Sequence, residues 1–141
     1  MYKNLLIAID LNNLDSAKYV VDTCLKLTAH EENPVYRVVT IIEPMDDSFI
    51  SAFLPKNFDK SVVEEANKAL HTFTEASFPK GAKVQHIVAH GTIYEEINRI
   101  AEEKNVDLIV MLASSKPNAA GLSTNTVKVA RFSDKPILVL R

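Results

Sequence analysis

The chain has 141 residues, 47% of them apolar and 24% charged, with 16 basic side chains against 18 acidic ones. That length suits one domain over residues 1–141, large enough to bury about two thirds of the surface its unfolded form exposes. A net charge of −2 with no lysine and arginine cluster argues against nucleic-acid binding, and the lone Cys24 rules out an internal disulfide and fits a reducing compartment.

The first apolar run, Leu5 to Ile9, is ended by Asp10. Five residues are too few for a signal-peptide core or a membrane span, so a cytoplasmic protein is expected. Leu14, Ala17, Val21, Cys24 and Leu25 then recur at helical spacing, with Cys24 turned toward the core as a packing residue. A second unbroken apolar run covers Val38 to Ile42. The stretch from Glu43 to Asp59 has no clear period but carries Met45, Phe49, Ile50, Phe53, Leu54 and Phe58. Two readings stand for it: a lid or binding surface, or a short irregular helix packed over the sheet.

A second helical pattern follows in Val62, Val63, Ala66, Ala69, Leu70 and Phe73, closed by Gly81. The strand Lys83 to His90 is the most polar and suits a sheet edge. After Gly91 comes a third helix, marked by Ile93, Ile97, Ile100 and Ala101. Leu108 to Leu112 is apolar throughout, and small and polar residues fill the loop from Ala113 to Gly121. A short helix opens at Ser123-Thr124 with Thr126, Val129 and Ala130 on one face, and Ile137 to Leu140 closes the chain as a strand.

Unbroken strands alternating with helices of period 3.6 indicate an α/β fold with helices on both faces of a parallel sheet. The apolar first and fourth strands belong at the centre. Right-handed crossovers then give an open five-stranded sheet of order 3-2-1-4-5, whose winding reverses between strands one and four. Ligands bind at the carboxyl ends of the strands beside such a switch, here Asp10 and the Ala113 loop. A strand running through a small-residue loop into a helix N-terminus also suits an anion, because the first-turn N–H groups are unpaired. The apolar strand 137–140 falls at an edge, and pairing through it into a homodimer is expected.

Several chemistries find no support. G-x-G-x-x-G after strand one, a P-loop and a Gly-x-Ser-x-Gly elbow are all missing. His86 and His90, four apart on a strand, stand about 13 Å from each other, too far for one zinc, and read as polar edge residues. A phosphoacceptor receiver would need an aspartate ending strand three, where His90-Gly91 stands. No general base paired with a nucleophile is visible, so the expectation is a binding protein and not an enzyme.

Leu5-Leu-Ile-Ala-Ile-Asp10, Gly91-Thr-Ile-Tyr-Glu-Glu-Ile97, Asp107-Leu-Ile-Val-Met111, Lys128-Val-Ala-Arg131 and Lys135-Pro-Ile-Leu-Val-Leu-Arg141 follow one another through nearly the whole chain. In order and spacing they resemble the universal stress protein family. ATP-binding members carry Gly-x-x-Gly, nine residues, then Gly-Ser or Gly-Thr. Here Ala113-Ser-Ser-Lys116 stands at the first motif, Ser123-Thr124 at the second, and six residues, Pro117 to Leu122, separate them. Ala113-Ser-Ser-Lys-Pro117 is similar to the Ala-Ser-His-Arg-Pro of a small branch reported to bind ATP with a longer loop.

The resemblance implies ATP, with or without magnesium, as the cofactor. Ala8, Asp10 and Ile41 would then meet adenine, Ala113, Ser114 and Lys116 the ribose and phosphates, and Ser123, Thr124 and Asn125 the phosphate end. Each principal residue also has a structural reading. Asp10 could serve only the turn before helix one, Ser123 only as a helix cap, and Lys116 as a solvated charge. Two functions follow: an ATP-binding stress regulator, or a nucleotide-free dimeric interaction protein acting through its dimer surface and the 43–59 stretch.

Overall fold

The computed structural model describes residues 1–44, 57–114 and 120–141. In chain order the elements are β1 (Asn4–Ala8), α1 (Leu14–Leu27), β2 (Val35–Ile42), α2 (Asn57–Ser77), β3 (Lys83–His90), α3 (Ile93–Glu103), β4 (Leu108–Leu112), α4 (Thr124–Phe132) and β5 (Ile137–Leu140). The sheet is wholly parallel in the order β3-β2-β1-β4-β5, as expected from the polar third strand and the two apolar central ones. Register is tight at the centre, where Leu5 lies opposite both Tyr36 and Leu108.

Because successive strand residues point to opposite faces, the central strands feed two cores. Leu5, Ile7, Tyr36, Val38, Leu108 and Val110 meet Val20, Val21 and Cys24 of α1 and Leu70 and Phe73 of α2. Leu6, Val39, Ile109 and Met111 meet Ile97, Ile100 and Ala101 of α3 and Val129 of α4. Burial on both faces accounts for the unbroken apolar runs. Cys24 is packing, as its helical position suggested: burial pushes its thiol up to about 12, so it stays protonated and unreactive.

The end of the sheet away from the strand carboxyl termini is closed by polar stitching. Asp107 accepts from the Lys3 and Asn4 amides, and the Asn4 side chain donates to the Lys104 and Asn105 carbonyls. Arg37 reaches Asn4 and Gln85, linking β1, β2 and β3. This end is committed to structure. The opposite end is open.

Three apolar positions behave differently from their sequence pattern. Leu14, Ala69 and Ala130 fall on the helical stripes but are exposed. Leu14 opens α1 beyond the sheet, and Ala69 faces a cavity described below. The connection read over 43–59 is also shorter than its composition suggested, since α2 starts at Asn57; residues 45–56 lie outside the described ones.

Candidate functional site

At the carboxyl ends of β1, β2 and β4 lies a cavity of about 760 Å³, within the size range of small-molecule sites. Its floor is strand residues, including Ala8, Val39, Ile41 and Met111. The turn after β1 brings Asp10, and the start of α4 brings Ser123, Asn125 and Thr126. A side wall comes from α2, where Val62, Glu65, Ala66 and Ala69 recur at three- and four-residue intervals and so share one helical face. The second half of α2 instead packs Leu70 and Phe73 on the sheet. One helix is therefore half core and half cavity wall.

Local bonding explains how each rim is held. Asp10 Oδ1 accepts from the Asn12 amide at 2.9 Å, and the Asp10 carbonyl accepts from the Asn13 amide at 3.0 Å, making a tight turn. Asn13 then caps α1 through the Ser16 amide. The turn role foreseen for Asp10 is real, and it leaves the residue lining the cavity. On the other rim, Ser123 is the N-cap of α4, accepting from the Thr126 amide at 3.2 Å. Thr126 Oγ1 donates to the Leu112 carbonyl at 2.9 Å, tying the α4 start to the end of β4. Ser123 caps only one donor, so the first-turn amides of Thr124 and Asn125 still point out of the helix end.

Of the residues proposed from sequence, the structure brings Ala8, Asp10, Ile41, Ser123 and Asn125 to the one cavity. Ala113, Ser114 and Thr124 are described but are not among its lining residues. Ala113 is buried and structural: its amide donates to the Leu140 carbonyl, and its own carbonyl accepts from the Ser123 amide. Lys116 lies outside the described residues. The α2 wall and Thr126 went unforeseen as site residues, while Glu43 opens the stretch read as a lid or binding surface. The small pair Ala66 and Ala69 was the one sequence signal for the wall, and it reads equally well as core.

Electrostatically the described lining is acidic. It holds the carboxylates of Asp10, Glu43 and Glu65, and no lysine or arginine among the described residues. Nor do the described residues gather three or more metal-ligating side chains. Among them no helix is long and apolar enough to cross a membrane. The arrangement can hold a compact ligand that offers hydrogen-bond donors to Asp10 and an acceptor to the α4 amides.

Comparison with known proteins finds the same fold in one family. The universal stress protein MJ0577 of Methanocaldococcus jannaschii is 29% identical over 155 residues, covering all of this chain and 96% of that protein. Its solved structure superposes with a TM-score of 0.82 at 26% identity, over 99% of this chain and 96% of that one. Universal stress protein G of Escherichia coli O157:H7 is 22% identical over 145 residues and the full length of both chains. A universal stress protein solved in complex with cAMP shares the fold, with a TM-score of 0.61 at 20% identity over 99% of this chain and 97% of that one. The model of the universal stress protein family matches residues 1–141 from end to end, and this chain belongs to that family.

Proposed function

We propose that this protein is a cytoplasmic stress regulator that binds an adenine nucleotide, ATP with or without magnesium, and changes its partner interactions without turning the nucleotide over. The observation that carries this reading is a cavity spanning the ends of β1 and β4, with Asp10 on one rim and the α4 N-terminus on the other. Adenine sits against Ala8, Asp10 and Ile41. The phosphate end reaches the start of α4 at Ser123 and Asn125, and Lys116, outside the described residues, is the amine expected to meet it. A family relative bound to cAMP supports an adenine ligand in this fold.

The deciding experiment is calorimetric titration with ATP and magnesium, alongside mass spectrometry of nucleotide released from the purified protein. Binding saturated at about 100 times Kd adds about 2.7 kcal/mol of stability, readable as a raised Tm. Asp10→Asn keeps an acceptor for the Asn12 amide and removes the charge, and Lys116→Ala removes the amine; each should weaken ATP about tenfold or more if it meets the ligand. A protein purified empty, whose Tm ignores millimolar ATP, overturns the reading.

A second reading has its own observation. The carboxylates of Asp10, Glu43 and Glu65 repel a polyphosphate, and the loop at Ala113 carries Cβ atoms where glycine-rich relatives bring bare backbone. On that view the chain is a nucleotide-free interaction protein, and the empty, ATP-insensitive outcome is what it expects.

Both readings include a homodimer through β5. This strand pairs only with β4 among the described strands, and Ile137, Leu138, Val139 and Leu140 are all half-buried. Its free edge offers unpaired backbone groups to a second copy. Sedimentation should give twice the 15.7 kDa chain mass, and Val139→Lys should return the monomer. A wild-type monomer at tens of micromolar would remove the dimer from both readings.

A further inference from the structure

The imidazoles of His71, on α2, and His86, on β3, are stacked with centroids 3.6 Å apart and planes 16° from parallel. His86 read as a polar edge residue in the sequence, yet it is half-buried and held from two sides. Its Nε2 lies 2.6 Å from the Thr74 hydroxyl, which also donates to the His71 carbonyl at 3.2 Å. His71 Nδ1 lies 2.8 Å from the Asn67 carbonyl, and since a carbonyl only accepts, Nδ1 carries the hydrogen. One hydroxyl and one ring stack thus join the second half of α2 to the edge strand.

We propose that His71 and His86 form a pH-operated latch: stacked and closed when neutral, opened when protonation places positive charge on rings in van der Waals contact. The surroundings offer little to offset that charge. On α2, Lys68 and Glu75 lie one turn to either side of His71, one of each sign. On β3, Val84 and Val88 share the His86 face, His90 lies farther along it, and Lys83 is on the opposite side of the pleat. On β2 the neighbours are Val38, paired with His86, and Tyr36, whose hydroxyl is engaged with Thr28. Lys18 and Asp22 of α1 pair with each other. Among the described residues no carboxylate makes an ion pair with either ring.

Burial first, and the facing His71 second, hold His86 below its usual value of 6.5. A depressed histidine means the unfolded chain binds more protons than the native one. The latch's contribution is therefore complete above about pH 6.5 and is lost as pH falls toward the lowered native value. Release frees a segment of α2 only one turn from Ala66 and Ala69, which wall the cavity. That the opening also weakens ligand binding rests on the nucleotide reading above; the latch itself does not.

NMR titration of His86 and hydrogen exchange of α2 decide the matter, on wild type and His71→Gln, a change at an exposed position. The expected results are a His86 titration displaced upward in His71→Gln, and α2 amides exchanging several-fold faster at about pH 5.5 than at pH 7.5 in wild type, after correction for intrinsic chemistry. In the variant that pH difference should shrink. An unchanged His86 titration, or equal α2 protection at both pH values in wild type, overturns the latch. ATP affinity measured at the same two pH values tests the coupling separately: if ATP never binds, the nucleotide reading falls while the titration and exchange results still judge the latch.

Discussion

Ile109→Ala should lower unfolding free energy by about 2–5 kcal/mol, a large share of the 5–15 kcal/mol expected for a domain of this size. Ile109 is 0% exposed, sits opposite Leu6 on β1 and Ile137 on β5, and belongs to the core shared with α3 and α4. Truncation removes buried methyl groups and leaves a cavity between the sheet face and the packed helices α3 and α4. Ile109→Val should cost only about 0.5–1.5 kcal/mol. Phe132→Ala is the counterpart at a larger side chain, since Phe132 is 60% exposed and on the α4 surface; its cost should be well under that of Ile109→Ala despite the greater volume deleted. Urea titration of the three variants checks the ranking. A loss below about 1 kcal/mol at Ile109 would mean the seam between β1 and β4 is not the core that positions the cavity.

That seam was also the part of the molecule most legible in the sequence. Leu5 to Ile9 and Leu108 to Leu112 are apolar on both faces because both faces are covered, as central strands of a parallel sheet require. Once they are central, crossover handedness leaves few orders, so the β3-β2-β1-β4-β5 arrangement follows from local patterns. The two rims of the cavity were legible for the same reason: Asp10 ends one central strand, and Ser123 opens the helix that follows the other.

The rest depended on contacts with no local signature. A helical stripe shows that Val62, Ala66 and Ala69 face inward, but not whether they meet a core or a void; that depends on where α2 leaves the sheet. Small side chains there leave the room that larger ones would fill. His71 and His86 are separated by a turn and two partial elements, and each looks like a solvated polar residue on its own. Their stacking exists only once α2 lies across β3. Likewise the family resemblance put Ala113, at the place of the first glycine motif, in ligand contact, whereas its backbone groups are taken up by Leu140 and Ser123.

Thr126→Val should cost about 1–3 kcal/mol although it preserves size and shape. Thr126 is 1% exposed and stands in a closed relay. Its amide donates to Ser123 Oγ at 3.2 Å, the Ser123 hydroxyl lies 2.8 Å from Thr126 Oγ1, and that oxygen donates to the Leu112 carbonyl at 2.9 Å. With the proton of Thr126 given to Leu112, Ser123 must donate in turn, so each bond polarises the next. Valine strands the Ser123 hydroxyl and removes the only side-chain tie from the α4 start to the end of β4 among the described residues. Thr126→Ser keeps the relay and deletes one buried methyl, about 0.8 kcal/mol. Stability alone would give serine the smaller loss; the sharper discriminator is ATP affinity measured on both variants. The relay aims the α4 N-terminus across the cavity, so valine should weaken ATP several-fold while serine stays near wild type. Equal affinities in the two would show that this helix end is braced by its Val129 packing and that the hydroxyl relay serves stability alone.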